Sequence, residues 1–288
     1  MNNIKTSQDK PENLRLMAAQ RVAYQKAKNS FGKQIIFTVI FAVLFNFIRL
    51  IPKDKIETFL PYIVLFSVTI SLADVLYFLG RISKLRTNGA KIQEEFDCNV
   101  YELVWNKVNS GSKADKTFIN NQVKAYRPNP KSPIENWYDI DLEGLSQERA
   151  ILLCQETNLW YDANLRTKFI KQIKYVLASL IAISVLIGVF SNLPLGLFIL
   201  YMVAPLLPAI VLTIKIYKEN EKSVSLSEEL KKEVFDLKDQ PQDPSKNQLR
   251  QIQDKIFCNR KDGPLVPEHF YRKARPDLEE GMKINAST

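Results

Sequence analysis

A carboxylate and two hydroxyls lie in an otherwise apolar stretch of the sequence. Ser67, Ser71 and Asp74 are spaced i, i+4 and i+7, so on a helix they share one face. An ionised side chain inside hydrocarbon costs on the order of 3 kcal/mol unless it faces water or a partner. Either this stripe lines a water-filled or oligomeric pathway, which Asn46 could join, or Asp74 is an interfacial carboxylate that pairs with Arg81. The expected pore-lining residues are Asn46, Ser67, Ser71 and Asp74.

Four apolar segments of the chain are predicted to cross a lipid bilayer as helices. Between Lys174 and Lys215 roughly forty residues carry no charge, about twice the length that one crossing needs. The predicted spans are 34–51, 59–79, 175–190 and 195–214, which pair into two helical hairpins. The first span is short and Pro52 ends it, yet three spans follow, so we do not interpret it as a signal peptide. Pro205 and Pro208 in the fourth span indicate a kink, which serves either packing or a gating bend.

The distribution of lysine and arginine predicts the orientation of these spans. The chain holds 40 Lys and Arg against 31 Asp and Glu, a net charge of +9. The turn between the first two spans contains Arg49, Lys53 and Lys55, and the turn between the last two contains no basic residue. By the positive-inside rule, both termini and the middle region face the cytoplasm. Basic membrane flanks account for the net charge, and no DNA or RNA partner is expected.

Cysteine, histidine and motif content argue against a metal site and against catalysis. The three cysteines are scattered through the sequence and His269 is its single histidine, so a zinc site has almost no ligands to draw on. The sequence contains no Walker loop, no G-x-S-x-G and no H-E-x-x-H. The acidic pairs Glu94/Glu95 and Asp139/Asp141 are expected to be solvated surface. We therefore expect no enzyme activity, no metal and no cofactor.

The charged parts of the chain are predicted to form a helical cytoplasmic domain. Residues 1–33 form an N-terminal helix, 80–174 a middle region and 215–288 a C-terminal region. Ser146 is a plausible N-cap of a helix that continues into the third span. Neither the middle nor the C-terminal region has a large apolar core of its own, so the two co-fold. The predicted fold is an all-α membrane protein, with four transmembrane helices as two hairpins and a mostly helical cytoplasmic domain.

Several short strings occur in a recognisable order around the two hairpins. They are Leu14-Arg15-Leu16 with Ala19-Gln20-Arg21 and Tyr24, Ile92-Gln93-Glu94-Glu95-Phe96-Asp97 with Trp105-Asn106, Asn136-Trp137-Tyr138, Cys154-Gln155-Glu156-Thr157-Asn158-Leu159-Trp160-Tyr161-Asp162 with Leu165-Arg166, and Arg260, Pro264, Val266-Pro267, Phe270-Tyr271 and Arg275. In this order they resemble the SMODS-associated four-transmembrane pore-forming effectors (S-4TM) of bacterial antiviral systems, over nearly the full length. Departures from that family's pattern are Val104, where proline often precedes the tryptophan, and His269, where tryptophan is common.

The resemblance implies a role in antiphage defence through cyclic-oligonucleotide signalling. A cognate nucleotidyltransferase would make a cyclic nucleotide messenger, which this protein would sense in the cytoplasm. The spans would then open a pore in the bacterial inner membrane and cause abortive infection. Membrane lipids and further copies of the chain are the other expected partners, since four helices per chain are too few to enclose a wide conduit. A constitutive ion channel or transporter-like protein and a non-conducting membrane scaffold are the alternatives.

Residues of the kinds that bind nucleotides occur throughout the cytoplasmic parts. A messenger needs cationic donors for its phosphates and flat rings for its bases. The candidate ligand-binding residues are Trp105, Asn106, Trp137, Tyr138, Asn158, Trp160, Arg166, Arg260, Tyr271, Arg272 and Arg275, with Tyr161 as a further ring. Tryptophans in a small domain are often core, and Arg166 follows Asp162 at i+4, as in a helix ion pair. Arg260, Arg272 and Arg275 are favoured because they cluster in a loop-rich segment, although acidic lipid headgroups would attract them equally.

Overall fold

The structure is a computed structural model that describes residues 2–40, 74–130, 133–190, 194–199 and 203–286, with isolated positions between 62 and 72. Every regular element in these residues is helical, as an all-α fold requires. In chain order the helices are α1 (Ile4–Gln8), α2 (Pro11–Ile35), α3 (Gly80–Tyr101), α4 (Lys107–Ser110), α5 (Lys116–Ala125), α6 (Gln147–Phe190), α7 (Leu195–Phe198), α8 (Ala204–Lys238), α9 (Lys246–Asp262) and α10 (Glu268–Ala286). A π-helical turn follows α2 at Ile36–Ile40, and another precedes α3 at Asp74–Leu79.

The helices begin where the sequence supplies capping groups. Ser146 accepts a hydrogen bond from the Arg149 backbone amide at 3.2 Å, which confirms it as the residue that starts α6. Ser245 and Gln248 form a reciprocal capping box at the start of α9. Pro11 occupies the first turn of α2, where a missing amide proton costs no hydrogen bond.

One apolar core, which we call the distal core, joins the N-terminal, middle and C-terminal regions. The N-terminal arm, the middle region and the C-terminal region each contribute buried side chains, among them Met17 of α2, Phe96 of α3, Ile151 of α6, Val234 of α8 and Leu249 of α9. Burial of this apolar surface is the main term that holds α9 against α3 and α6. The apolar side chains that share one face of α8 therefore pack in the distal core of the same chain.

A second core, which we call the proximal core, lies further along the same helices toward their apolar ends. Its buried residues include Phe31 of α2, Ile82 of α3, Phe169 of α6, Ile216 of α8 and Leu278 of α10. The helices α2, α3, α6 and α8 contribute to both cores. Four helices thus run from one core to the other.

Helix α6 runs without interruption from the distal core through the predicted third span. Among the described residues it is the one helix long and apolar enough to cross a membrane, and only 11% of its most apolar eighteen-residue window is buried. Its last turns present large apolar side chains outward, with Val189 67% and Phe190 83% exposed. An apolar face of this kind needs lipid or another apolar surface to cover it.

The other predicted spans are described in part. Residues 41–61 and most positions up to 73 lie outside the described residues, and with them most of the first hairpin. In the fourth span, α7 and α8 are described, and Pro205 falls in the first turn of α8, where proline is compatible with a helix. Pro208 lies inside α8 and removes one backbone donor there.

Candidate functional site

A buried polar layer separates the two apolar cores. Buried polar side chains lie between the distal and proximal core positions of the helices, as Asn220, Ser223 and Ser227 do between Ile216 and Leu230 of α8. Buried polar groups cost free energy unless they are hydrogen-bonded, so a layer of this size imposes strict geometry. The name polar layer denotes Tyr24, Arg86, Asp162, Arg166, Asn220, Ser223, Ser227, Asn259 and Arg260.

Arg166 is the most extensively bonded cation of the polar layer and is 7% exposed. Its Nε donates to Asp162 Oδ2 at 2.8 Å, which confirms the predicted i, i+4 ion pair. Its Nη1 donates to Asn220 Oδ1 at 3.0 Å and to the Pro264 carbonyl oxygen at 2.8 Å. One guanidinium thereby ties α6 to α8 and to the segment that follows α9.

Arg86 of α3 approaches the same segment from another side. Its Nη1 donates to the Gly263 carbonyl oxygen at 2.9 Å. Its Nε is buried and has no hydrogen-bond partner within the described part of the chain. Burial lowers the pKa of Arg86, while the charges of Glu219 and Asp262 oppose this shift. Arg86 is therefore an incompletely satisfied cation in the interior.

Gly263 permits this close approach because it has no side chain. A Cβ at this position would lie 3.2 Å from Arg166 Nη2, 3.2 Å from Ser223 Oγ and 2.4 Å from the Asn259 carbonyl oxygen. Any other residue would displace a guanidinium or the backbone. The glycine thus keeps Arg86 and Arg166 on two consecutive carbonyl groups.

Arg260 extends the polar layer toward the distal core through a buried carboxylate. Its Nη1 donates to Asp97 Oδ2, and Tyr138 donates its hydroxyl proton to Asp97 Oδ1 at 2.7 Å. Asn158 Nδ2 donates to the Tyr138 hydroxyl at 3.3 Å. The second terminal nitrogen of Arg260, Nη2, is buried and without a partner among the described residues. The structure therefore brings three predicted residues, Tyr138, Asn158 and Arg260, together around Asp97.

The charges of this region act on one another. Burial lowers the pKa of Arg260, but the attraction of Asp97 outweighs it and raises that pKa overall. Burial raises the pKa of Tyr24 to about 12, against the opposing influence of Arg260, Arg86 and Arg166. The charges of three arginines therefore act on the Tyr24 hydroxyl.

A second ion pair lies beside Asp97 and corrects one expectation. Glu94 was expected to be solvated with Glu95, but its side chain is buried and accepts hydrogen bonds from Arg250 and, at 2.9 Å, from Gln253. Burial raises the pKa of Glu94, and Arg250 opposes that shift. The expectation failed because Glu94 lies on the same face of α3 as Asp97, toward α9. Glu95, Asp139 and Asp141 keep at least partial solvent contact.

The predicted aromatic residues of α6 and α10 pack against each other in the proximal core. The rings of Tyr161 and Tyr271 are 6.4 Å apart, and Lys28 Nζ lies 4.3 Å from the centre of the Tyr271 ring. Trp160 packs on the backbone of α10 at Gly281. Arg275 Nε pairs with Glu279 one helical turn away. These residues pack α10 against α6.

The remaining predicted residues lie elsewhere. Trp105 donates to the Gly111 carbonyl oxygen at 2.9 Å, and Asn106 caps α4 and donates to Asp254 at 2.7 Å. Trp137 packs on the distal core, and Arg272 is exposed on α10. Trp105, Asn106 and Trp137 therefore have structural contacts that explain them without a ligand.

The expectation that three arginines cluster in a loop-rich segment is wrong. Arg260 lies in α9, whereas Arg272 and Arg275 lie in α10. The prolines and glycine that suggested a loop mark only the short linker 263–267, and Pro267 accepts the first hydrogen bond of α10 from the Tyr271 amide at 3.0 Å. Helical geometry thus points the three arginines to different neighbours.

The predicted pore-lining residues are not tested by these contacts. Asn46, Ser67 and Ser71 lie outside the described residues, and Asp74 is described by its backbone alone, as the first residue of a π-helical turn. Among the residues described, no group of three or more His, Cys, Asp and Glu side chains could hold a metal ion.

Sequence reasoning missed several residues of the region. Arg86 is one of several basic residues that follow the second predicted span, and Tyr24 and Asp97 occur only within the strings that carry the resemblance. The residues missed are Tyr24, Arg86, Glu94, Asp97, Arg250 and Gln253. The available signal was positional, because each long helix replaces apolar with polar residues between its two apolar stretches.

The described residues form an all-helical protein in which the exposed apolar half of α6 is long and apolar enough to cross a membrane. The chain belongs to the family described as SMODS-associating 4TM effector domain, whose model matches residues 2–288. This confirms the resemblance drawn from the sequence and identifies the chain as a membrane effector.

A curated relative supports the same assignment. The chain is 26% identical over 290 residues to a protein of Bacillus cereus strain VD146 named as a probable CBASS effector molecule, and the alignment covers 96% of this chain and 95% of the relative. No solved structure is significantly similar to the chain.

Proposed function

We propose that this protein is a non-enzymatic, pore-forming effector of a bacterial antiphage defence system. A cyclic nucleotide messenger from a cognate nucleotidyltransferase opens the pore. Permeabilisation of the inner membrane then kills the infected cell and stops the infection, which is abortive infection. The observation that carries this proposal is the match of the family model to residues 2–288, and the name of the B. cereus relative agrees with it.

The proposed membrane arrangement has four spans in two hairpins, at 34–51, 59–79, 175–190 and 195–214. Both termini and the region 80–174 lie in the cytoplasm. The exposed apolar side chains at the end of α6 support the third span. Most of the lysine and arginine lies in the predicted cytoplasmic parts, which supports the orientation because these residues are retained on the cytoplasmic side of the membrane.

Opening by a messenger requires two states that bind it with different affinity. A ligand shifts an equilibrium only by this difference in affinity. The helices α2, α3, α6 and α8 connect the distal core, the polar layer and the proximal core to the predicted spans. A change in the cytoplasmic body can therefore alter how the spans pack, and several copies of the chain enclose the pore.

Leakage of a dye from liposomes tests the proposal. Purified protein is reconstituted, and release of an entrapped dye is recorded with and without a panel of cyclic di- and trinucleotides. Leakage that depends on one messenger supports the proposal. Leakage of equal rate in all samples indicates a constitutive channel, and no leakage in any sample indicates a non-conducting scaffold. Reporter fusions at residue 120 check the topology, and an external reporter there contradicts it.

A further inference from the structure

The linker 263–267 between α9 and α10 is held by arginines rather than by its own secondary structure. Arg86 donates to the Gly263 carbonyl oxygen at 2.9 Å, and Arg166 donates to the Pro264 carbonyl oxygen at 2.8 Å. Both acceptors are neutral. A guanidinium binds the paired oxygens of a phosphate more strongly than a carbonyl, because the acceptor is charged and its geometry matches the fork. The acceptors now in place are thus weaker than an anion would be.

Two further guanidinium nitrogens in the same region are unused. Arg86 Nε and Arg260 Nη2 are both buried, and neither has a hydrogen-bond partner in the part of the chain that is described. Native interiors rarely leave cationic donors unpaired, so each such group calls for an explanation. Each of these two nitrogens is available as a hydrogen-bond donor to an anion.

Arg86 and Arg166 come together at Gly263, and Arg260 lies in the last turn of α9, three residues before that glycine. Arg166 Nη2 and Ser223 Oγ each lie 3.2 Å from the position that a Cβ on Gly263 would occupy. The carboxylates bonded to these arginines, among described residues, are Asp162 on Arg166 and Asp97 on Arg260. Arg86 has no carboxylate partner among the described residues. The acids whose charges act on it, Glu219 and Asp262, are 43% and 69% exposed at their side chains, so water screens them.

We propose that Arg86, Arg166 and Arg260 form a binding site for a phosphodiester anion, which takes over the donors that Arg86 and Arg166 now give to the Gly263 and Pro264 carbonyl groups and also accepts from Arg260 Nη2. The proposal rests on the proposed function for the identity of the anion, a cyclic oligonucleotide. A lipid headgroup carries the same phosphodiester chemistry, so the experiment includes both. No covalent bond is made or broken in this step, since one set of hydrogen-bond acceptors replaces another.

The position of the linker gives this exchange a consequence. Leu265 and Val266 are buried in the proximal core, together with Ala274 and Leu278 of α10. Once the two carbonyl groups lose their arginines, the linker keeps its apolar contacts and the backbone hydrogen bonds at its two ends, Gly263 and Pro267. Anion binding therefore loosens α10 from the proximal core, which is also where α2, α3, α6 and α8 lead toward the predicted spans.

Binding measurements on the full-length protein in detergent micelles test the site. The probes are labelled 3′,3′-cyclic di-AMP, cyclic GMP–AMP and cyclic tri-AMP, and short-chain phosphatidylglycerol. We expect Arg86→Gln to weaken binding of the recognised probe about tenfold or more, and Arg86→Lys, which keeps the charge but not the fork, to weaken it less. Arg127→Gln is the matched control, an exposed arginine outside the candidate binding residues whose loss changes affinity less than about twofold.

The outcomes separate this proposal from the proposed function. Equal binding of a cyclic nucleotide by wild type and Arg86→Gln overturns the site and leaves the messenger role intact. Selective binding of phosphatidylglycerol that needs Arg86 supports the anion site and removes the cyclic nucleotide as its ligand. Wild-type protein that binds none of the four probes overturns both.

Hydrogen exchange on the wild-type protein keeps the site testable if the variants fold poorly. With the recognised probe present, backbone amides of α10 are expected to exchange faster, while those of α5, which packs on α2 away from the linker, stay unchanged. Slower or unaltered exchange in α10 overturns the proposed release of the linker.

Discussion

Arg260 of α9 donates a hydrogen bond to the buried carboxylate of Asp97 of α3, and this pair joins two helices that are 163 residues apart in the sequence. The Asp97 side chain is 0% exposed, and its second oxygen accepts from Tyr138. The pair therefore fixes the C-terminal region to the middle region at the boundary between the polar layer and the distal core.

Asp97→Asn should destabilise the protein strongly. The substitution keeps an acceptor for Tyr138 but leaves Arg260 buried without its counter-charge, which costs about 3–5 kcal/mol in buried pairs. Glu95→Gln is the matched control on the same helix, because its partner Lys113 is 48% exposed at its side chain. Loss of such a surface pair costs about 1 kcal/mol or less. Denaturant unfolding of the solubilised protein measures both.

A double substitution shows whether the pair itself is responsible. Asp97→Leu combined with Arg260→Met removes both charges, and we expect it to recover much of the stability lost in Asp97→Asn. Equal stability of Asp97→Asn and Glu95→Gln would mean that Asp97 reaches solvent or that Arg260 finds another anion.

The three cysteines should differ sharply in reactivity. Burial, with the charge of Glu94, raises the pKa of the Cys98 thiol to about 12, and burial also raises the pKa of Cys154 well above its usual range. Cys258 is half-buried, accordingly more accessible, and its pKa is raised as well. Since the thiolate is the reactive form, iodoacetamide at pH 8 should label Cys258 about tenfold faster than the other two, as followed by mass spectrometry.

Denaturation supplies the control for this order. In unfolded protein all three thiols should react at similar rates. Rapid labelling of Cys98 or Cys154 in the folded protein would contradict the burial of α3 against α9 or of α6 in the distal core.

Tyr24 should make stability depend on pH in the alkaline range. Its pKa is raised from 10.0 to about 12 in the folded state, chiefly by burial. The folded state therefore holds the phenolic proton more tightly than the unfolded state. The resulting contribution to the free energy of unfolding is complete below pH 10 and is lost as the pH rises toward 12. The difference in unfolding free energy between wild type and Tyr24→Phe should fall over this interval. Parallel stability curves for the two proteins would contradict it.

Local features of this fold were predictable from the sequence because they depend on neighbours in the chain. The Asp162–Arg166 pair follows from i, i+4 spacing, and the Ser146 cap follows from the chemistry of helix starts. The uncharged run likewise indicated that α6 continues into an apolar helix.

The contacts of the polar layer were not predictable, because they join distant parts of the chain. Arg86 and Gly263 are 177 residues apart, and Arg86 is of the same type as the neighbouring basic residues that flank a membrane span. Glu94 and Glu95 are adjacent and chemically alike, yet only the packing of α9 against α3 buries the first. Residue type restricts the candidates, and tertiary packing selects among them.

Gly281→Ala should weaken the docking of α10 although alanine is the better helix former. A Cβ at this position would lie 2.7 Å from the Trp160 ring, so the ring or α10 must shift. Such crowding costs about 1–3 kcal/mol, more than the gain in helix propensity of about 1 kcal/mol. Gly32→Ala is the control, because a Cβ there meets nothing within 4 Å and should stabilise α2. Thermal unfolding of the two variants should shift in opposite directions, and Trp160→Phe combined with Gly281→Ala should relieve the clash. A stabilised Gly281→Ala would show that Trp160 yields without cost, and α10 would then not depend on this contact to stay on the proximal core.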